Sequence, residues 1–270
     1  MKSLNTIRKE INQIDQQIID LLKARYSLLE SVLEDKIRRE EPVENLQRED
    51  EVLGKIREEP ELYHYYLKET YKKIMELSKA YQWHCLFKEN IYLIGFMAVG
   101  KTTLGEVLSK KIHWSFLDTD LFIEEMEQRR IKEIFKESGE DYFRELEAKV
   151  IENIHKDWLK TTEKKVIACG GGVILNPENL RIMKQNGIIV YLKGDIHTIC
   201  KRLSLDDSRP LLSEAKDIKK RVEGLLKDRQ DLYKEVADIT IFVGEKAPDK
   251  LVNALLLEIE SYERKRSLSE

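Results

Sequence analysis

The stretch IYLIGFMAVGKTTLGEVL, at residues 91–108, places a Gly-rich loop between a strand-like apolar run and a helical pattern. The loop contains Gly95, Gly100, Lys101 and Thr102 at the spacing G-x-x-x-x-G-K-[ST], which is typical of a phosphate-binding loop. In such a loop, backbone N–H groups at a helix N-terminus surround the phosphates, the lysine contacts the β- and γ-phosphates, and the hydroxyl ligates Mg²⁺. A strand, this loop and a helix in succession predict an α/β fold.

Strand-like segments recur after residue 88, and helical segments separate them. These segments are IYLIGF, SFLD, KVIACGG, GIIVYLKG and ITIFV. Strands that alternate with helices form a parallel sheet between helix layers. We therefore predict an α/β P-loop domain with a parallel sheet over residues 88–270.

Residues 1–87 have a different periodicity. Their apolar side chains at positions 4, 7, 11, 14, 18, 21, 28 and 32 follow the steps of an amphipathic helix. No Gly or Pro interrupts residues 1–41, which predicts one helix of about 30 residues or more. Two further helices are predicted, at Asn45–Arg57 and from Pro60 to about Phe87. The first helix is too long to bury its apolar stripe within so small an all-α domain, so we expect a homodimer.

Composition narrows the class of protein. The 270 residues carry a net charge of −3, which gives no indication of a nucleic-acid partner. The longest apolar run is too short to span a bilayer, and the N-terminus has no apolar signal-peptide core. Three widely separated cysteines, Cys85, Cys169 and Cys200, favour reduced thiols and a cytoplasmic location. We interpret Cys169 as a buried strand residue and not a nucleophile.

A P-loop enzyme needs a carboxylate near its magnesium ion. The segment FLDTD offers Asp118 and Asp120, which we expect at the end of a strand with both side chains pointing the same way. One would serve the metal and the other an acceptor hydroxyl. An acidic turn with capping roles is the alternative. Asp195 is a further candidate, but its position favours a helix cap.

Four further features follow in the same half. Arg144 and Glu147 in FRELE are three residues apart on a predicted helix, and Gly170–Gly172 follow a strand, where backbone can approach a ligand closely. Arg209 lies in a polar segment, residues 204–216, that is long enough to be a lid. Arg229 lies in DRQDLY on the last long helix before the final strand. Taken alone, each arginine fits a solvated surface charge better than a binding role.

In this order, the motifs GFMAVGKTT, FLDTD, FRELE, the Gly triplet, RPLL and DRQDLY resemble the shikimate kinase family over residues 90–245. The resemblance implies a nucleoside-monophosphate-kinase-like fold that transfers the γ-phosphate of ATP to the 3-hydroxyl of shikimate. It implies ATP binding by Gly95, Ala98, Val99, Gly100, Lys101, Thr102, Thr103, Arg202 and Arg209, with Arg202 on adenine and Arg209 on the transferring phosphoryl. It implies shikimate binding by Asp120, Arg144, Gly170, Gly171, Gly172 and Arg229, with Mg²⁺ held by Thr102 and Asp118.

The helical half also carries charged residues at unusual positions. Arg25 falls on the apolar stripe, where a charge must pair or bind an anion. Lys36 lies about 20° away around the helix, whereas Arg8 is rotated by roughly 100° and faces elsewhere. Ser78 and Gln82 share a face of the third helix at i,i+4. Taken singly, these side chains fit ordinary salt-bridged surfaces.

Together with Arg48 and Glu49 on the second helix, they resemble the all-helical chorismate mutase family from about Leu4 to Gln82. The resemblance implies an interlocked dimer in which Arg8 serves the partner's site. It implies that Arg25 and Arg48 hold substrate carboxylates, Glu49 takes the ring hydroxyl, Lys36 and Gln82 donate to the ether oxygen, and Ser78 contacts the substrate. Asn45 departs from the pattern, since the family often has an acid there.

The two resemblances predict a bifunctional enzyme of aromatic amino-acid biosynthesis, with a mutase domain at residues 1–87 and a kinase domain at 88–270. One alternative keeps the kinase and makes the helical half a non-catalytic dimerisation or effector-sensing module. Another is a different small-molecule P-loop kinase, although Arg144, Arg229 and the Gly triplet favour a carboxylated ring as acceptor.

Overall fold

The computed structural model of the chain describes residues 2–57, 60–203, 218–244 and 246–267. The chain forms two compact units, Met1–Phe87 with Glu263–Glu270, and Lys88–Tyr262. Among the described helices, none combines the length and the apolar character needed to cross a bilayer.

The first unit consists of the three predicted helices. They are α1 (Leu4–Arg39), α2 (Leu46–Ile56) and α3 (Glu61–Leu86). Ser3 and Asn45 cap α1 and α2 with side-chain oxygens, and Pro60 precedes α3. With 36 residues, α1 is about 54 Å long at 1.5 Å per residue.

The apolar stripe of α1 is largely uncovered within one chain. Ile14 is 54% exposed and Leu21 is 70% exposed, and Leu33 is the one residue of α1 that is buried among those the structure describes. Apolar side chains at regular helical spacing are stabilised when another helix covers them. This exposure is the physical basis for expecting a second copy of the chain.

The second unit alternates strands and helices. In chain order they are β1 (Asn90–Ile94), α4 (Lys101–Ile112), β2 (Ser115–Asp118), α5 (Thr119–Glu127), α6 (Ile131–Thr161), β3 (Lys165–Ala168), α7 (Pro177–Asn186), β4 (Gly187–Gly194), α8 (Ile196–Leu203), α9 (Ile218–Val236), β5 (Ile239–Val243) and α10 (Pro248–Ser267). A short 3₁₀ helix, Val173–Leu175, follows β3. Each of the five predicted strand segments therefore contributes a strand, although Gly95 and Phe96 lie beyond β1 in the loop.

The sheet is parallel throughout and has the order β2-β3-β1-β4-β5. Asp118 and Leu93 both pair with Ala168, so β1, β2 and β3 end at the same edge. The P-loop follows β1, an acidic residue ends β2 and the Gly triplet follows β3. In parallel α/β sheets ligands bind at this carboxyl edge.

Candidate active sites

The second unit has a cavity of about 630 Å³ at the carboxyl edge of its sheet. Most of the predicted kinase residues line it: Ala98, Val99, Gly100, Lys101, Thr102, Thr103, Asp118, Asp120, Arg144, Gly171, Gly172, Arg202 and Arg229. Gly95 and Gly170 are not among the lining residues. Gly95 packs against Leu192 O, and Gly170 packs behind the Asp120 and Glu147 carboxylates. Arg209 and the predicted lid at 204–216 lie outside the described residues.

The P-loop has the backbone geometry that a phosphate cradle requires. Gly95 and Gly100 have φ of 145° and 103°, and Ala98 has φ of 59°. A side chain at Gly95 would place its Cβ 2.6 Å from Leu192 O, so this glycine is also required by packing. Lys101 Nζ donates to Gly95 O at 2.9 Å and to Phe96 O at 3.1 Å, which holds its charge over the loop. Because α4 begins at Lys101, its N-terminal dipole adds to that positive potential.

Thr102 and Asp118 form the predicted magnesium pair. Thr102 Oγ1 donates to Asp118 Oδ2 at 2.6 Å. A hydroxyl beside a carboxylate is an oxygen donor set that suits Mg²⁺, which commonly takes one or two protein ligands together with phosphates and water. The residues present therefore fit this ion.

The predicted strand geometry of the two aspartates is wrong. The strand β2 ends at Asp118, and Asp120 belongs to the first turn of α5. Asp118 Oδ1 accepts from the backbone N–H groups of Asp120 and Leu121, at 3.0 and 3.3 Å, and so caps α5. Both aspartates still line the cavity, because the cap turns the chain back toward it. The capping role that the sequence offered as an alternative is thus present for Asp118.

Asp120, Glu147 and Arg144 surround the Gly triplet. A Cβ on Gly170 would lie 2.6 Å from Asp120 Oδ1 and closer still to Glu147 Oε1, and one on Gly172 would overlap the Arg144 guanidinium. Arg144 Nη1 pairs with Glu147 Oε2, as the i,i+3 spacing predicts. Glycines at these two positions let the acids and the arginine approach the backbone after β3.

Glu147 is a buried acid for which the sequence analysis predicts no role beyond its spacing from Arg144. Its side chain is 3% exposed, and Oε1 accepts no hydrogen bond from the described residues. Burial raises the pKa of Glu147 to about 7, although the Arg144 guanidinium acts in the opposite direction. The cavity thus contains a carboxyl group that titrates near neutral pH.

Two arginines flank the cavity from α8 and α9. Arg229 is 9% exposed, and its Nη1 approaches Gly171 O at 3.4 Å. Tyr233, one turn further along α9, donates to the same carbonyl at 2.5 Å. Arg202 Nη1 donates to Val99 O at 2.6 Å, so it packs against the P-loop.

Two lesser predictions concern residues next to the site. Cys169 lies directly after β3, one residue beyond the strand, and is 1% exposed. Burial raises the pKa of its thiol well above the usual range, which argues against a nucleophilic thiolate. Asp195 accepts from the backbone N and the hydroxyl of Thr198, both at 2.7 Å, which confirms its capping role.

The first unit has a second cavity, of about 620 Å³, between its helices. Six of the predicted mutase residues line it: Arg25, Lys36, Arg48, Glu49, Ser78 and Gln82. Asn45 lines it as well. Arg8 is exposed and is not among the lining residues, as its rotation around α1 predicts.

Arg25, Ser78 and Gln82 form a connected polar group across α1 and α3. Arg25 Nη1 donates to Ser78 Oγ, whose own proton goes to Ile74 O at 2.5 Å. Gln82 Nε2 donates to Ser78 O at 3.2 Å, while Gln82 Oε1 is buried and accepts no hydrogen bond from the described residues. The second N–H of that amide remains able to donate. Lys36 Nζ donates to Val43 O at 2.5 Å.

The charged residues of α2 are held in two different ways. Arg48 Nη1 pairs with Glu51 Oε2 at 2.8 Å on an exposed surface, and its side chain is 63% exposed. Glu49 Oε1 pairs with Lys79 Nζ at 2.9 Å, in a part-buried position. Asn45 Oδ1 accepts from Arg48 N at 2.9 Å, which fixes the start of α2. Lys79 was not among the residues that the sequence indicated, because a lysine on an amphipathic helix is ordinary.

Comparisons with known proteins find a family match for each half of the chain. The shikimate kinase family matches residues 97–260, and the family described as chorismate mutase type II matches residues 7–83. The chain is 40% identical to the shikimate kinase of a Sulfurihydrogenibium species over 172 residues, which are 64% of this chain and 98% of that protein. It is also 40% identical to the shikimate kinase of Persephonella marina, over 62% of this chain and 96% of that protein.

Solved structures give the same result for the second unit. A shikimate kinase from Acinetobacter baumannii, in complex with shikimate, is 36% identical with a TM-score of 0.60, covering 64% of this chain and 93% of that one. The shikimate kinase from Aquifex aeolicus is 34% identical with a TM-score of 0.54, covering 64% of this chain and 96% of that one.

Proposed function

The chain belongs to the shikimate kinase family and carries a chorismate mutase type II region at residues 7–83, and we propose from this premise that it catalyses two reactions of aromatic amino-acid biosynthesis. Its α/β domain, residues 88–270, phosphorylates the 3-hydroxyl of shikimate with ATP. Its helical domain, residues 1–87, rearranges chorismate to prephenate. The observation that carries the kinase assignment is the 630 Å³ cavity, which brings the P-loop, Asp120, Arg144 and Arg229 together.

In the kinase, the residues act mainly by positioning and by electrostatics. The P-loop N–H groups and Lys101 hold the phosphates of ATP, and Arg202 lies against the same loop to meet the nucleotide. Arg144 and Arg229 clamp the shikimate carboxylate, for which the planar guanidinium is well shaped. Asp120 orients the 3-hydroxyl toward the γ-phosphate and takes up its proton. Arg209 is proposed to neutralise charge on the transferring phosphoryl.

Thr102 and Asp118 hold Mg²⁺ in this proposal. When bound there, the ion would supply positive charge that stabilises the phosphates of ATP. Asp118 also caps α5, the helix that carries Asp120. The proposed metal ligand therefore also fixes the start of that helix. The short Thr102–Asp118 hydrogen bond supports this pairing of roles.

In the mutase, the side chains hold a compact conformer of chorismate while its ether bond breaks. The reaction is intramolecular and needs no nucleophile, so donors at the developing charge are sufficient. Arg25 and Arg48 hold the carboxylates, Lys36 and Gln82 donate to the ether oxygen, and Glu49 accepts from the ring hydroxyl. Ser78 orients Arg25 through their hydrogen bond.

The same proposal includes a homodimer in which α1 pairs with its copy and Arg8 reaches the partner's cavity. The exposed apolar stripe of α1 supports it. If Arg8 acts across the dimer, mixing Arg8→Ala chains with Arg25→Ala chains gives heterodimers with one intact site. Mutase activity should then rise above that of either variant, and no rise after verified subunit exchange would count against sharing. A reducing, cytoplasmic location, which the three free cysteines favour, belongs to the proposal too.

The kinase assignment is tested with Asp120→Asn. This variant should bind ATP with nearly unchanged affinity, because Asp120 lies on the acceptor side, and should lose most phosphoryl transfer to shikimate. Turnover near that of the wild type would rule out the role of Asp120. A panel of other hydroxylated acceptors separates shikimate from a different small-molecule substrate.

The alternative for the helical half is a non-catalytic dimerisation or effector-sensing module. We favour catalysis because the charged side chains that line the 620 Å³ cavity, four cations and two carboxylates, leave positive charge for a dicarboxylate substrate. Prephenate formation by the purified chain decides between the two.

A further inference from the structure

Lys79 lies on α3 at the wall of the helical cavity, between two carboxylates that are far from it in sequence. Its Nζ is 2.9 Å from Glu49 Oε1 on α2 and 3.2 Å from Glu44 Oε1 before α2. The three side chains are only 18%, 26% and 29% exposed, in the order Lys79, Glu49 and Glu44. Ion pairs at this depth are screened less than pairs on the surface, so their geometry has consequences for the site.

The neighbouring acids keep Lys79 charged. Burial lowers the pKa of Lys79, but the hydrogen bonds and charges of Glu49 and Glu44 outweigh burial, so its pKa is raised. Glu49 in turn has its Oε1 fixed by the ammonium group. Lys79 therefore ties α2 to α3 at the residue that meets the substrate hydroxyl in the proposed reaction.

We propose that Lys79 is a positioning residue of the mutase. Its ammonium group aims the Glu49 carboxylate at the substrate hydroxyl and reduces the repulsion between that carboxylate and the dicarboxylate substrate. The inference rests on the proposed mutase function and goes beyond it, since it assigns a role to a residue outside the set that the family resemblance supplied. Lys79 acts through Glu49 and does not take part in the bond rearrangement.

Removing the ammonium group leaves Glu49 and Glu44 side by side, close to a doubly negative substrate. Like charges in a part-buried site repel, so substrate binding weakens. The other charged residues that line the cavity belong to α1 and α2: Arg25, Lys36, Arg48 and Glu51. Glu51 is paired with Arg48 at the surface.

The test compares Lys79→Met and Lys79→Gln with the charge-conserving Lys79→Arg in the full-length chain. Lys73→Met is the matched control, because Lys73 is an exposed lysine on the same helix, paired only locally with Glu76 at 2.7 Å. The mutase kcat and KM for chorismate are measured at pH 7.5. Kinase activity of each preparation and its thermal unfolding report whether the chain is folded.

The expected result at pH 7.5 is a KM raised about tenfold or more in Lys79→Met and Lys79→Gln, with a smaller change in kcat. Lys79→Arg should restore most of the wild-type KM. The double variant with Lys79→Met and Glu49→Gln should change KM by much less than the product of the two single-variant effects. Each single change already removes the interaction between the two side chains.

Different outcomes identify what has failed. If the wild-type chain forms no prephenate, the proposed mutase function and this inference are both overturned. If the wild type is active and folded Lys79→Met keeps its KM within twofold of wild type, the inference alone is overturned. A KM rise that Lys79→Arg does not rescue would mean that Lys79 acts through packing and not through its charge, which also contradicts the inference.

Discussion

Replacing Gly170 by alanine tests how tightly the kinase acids are packed. Gly170 does not have a positive φ, so alanine can adopt its backbone conformation and the effect comes from the added methyl alone. That Cβ would lie 2.6 Å from Asp120 Oδ1, whereas Cβ atoms essentially never approach closer than 3.0 Å. The Asp120 carboxylate must therefore move by at least about 0.4 Å, and Glu147 must move further.

The movement has a predictable cost. A displacement of about 1 Å at reacting groups can reduce the rate roughly 10²-fold, so we expect kcat/KM for shikimate to fall between about 10-fold and 100-fold. The assay is steady-state phosphorylation of shikimate by the full chain. The mutase activity of the same preparation should be unchanged, since Gly170 belongs to the other unit.

Gly224→Ala is the matched control. Gly224 lies on α9, the helix that carries Arg229, and a Cβ there meets nothing within 4 Å. Alanine at this position should stabilise the helix by about 0.5–1 kcal/mol and leave catalysis intact. If Gly170→Ala kept kcat/KM within threefold of wild type, the Asp120 and Glu147 carboxylates would have room to accommodate a methyl group. That result would contradict the tight packing around Gly170 in the structure.

Three further predictions address other contacts. Glu147 has a pKa raised from 4.5 to about 7, so the stability of the kinase unit should fall as pH rises through that window; Glu147→Gln should remove up to about 3 kcal/mol of this pH dependence, as measured by urea unfolding at pH 5 and pH 8. Tyr233→Phe removes the shorter of two hydrogen bonds to Gly171 O, and it should cost about 1–2 kcal/mol of stability and raise the shikimate KM several-fold; an unchanged KM would show that Tyr233 does not support the site. Asn45→Ala removes the cap of α2 and should cost about 1 kcal/mol and raise the chorismate KM, while kinase kinetics stay constant.

The elements of the fold were predictable because their signals are local. Apolar residues that recur at intervals of three and four positions predicted α1. Prolines marked where α1 ends and where α3 begins. All five strand segments were short apolar runs bounded by turn residues. The P-loop was identified because its glycines, lysine and threonine are close together in sequence.

Contacts between residues that are distant in the sequence were harder to predict. The two-residue spacing of Asp118 and Asp120 fits a strand and a helix cap equally well. The three-dimensional structure shows that Asp118 is the helix cap. Lys79 meets Glu44 across 35 positions, and Tyr233 meets Gly171 across 62. Neither Lys79 nor Tyr233 belongs to a sequence pattern that differs from an ordinary helix surface. Their roles depend on packing, so spacing along the sequence does not predict them.

The central claim is that one chain carries two separate catalytic sites. The most direct measurement is to assay purified Lys101→Ala and Arg25→Ala chains for both shikimate phosphorylation and prephenate formation. Lys101→Ala should lose phosphorylation by about 10²-fold or more and retain prephenate formation, and Arg25→Ala should show the reverse. A folded variant of either kind that lost both activities, or neither, would contradict the account.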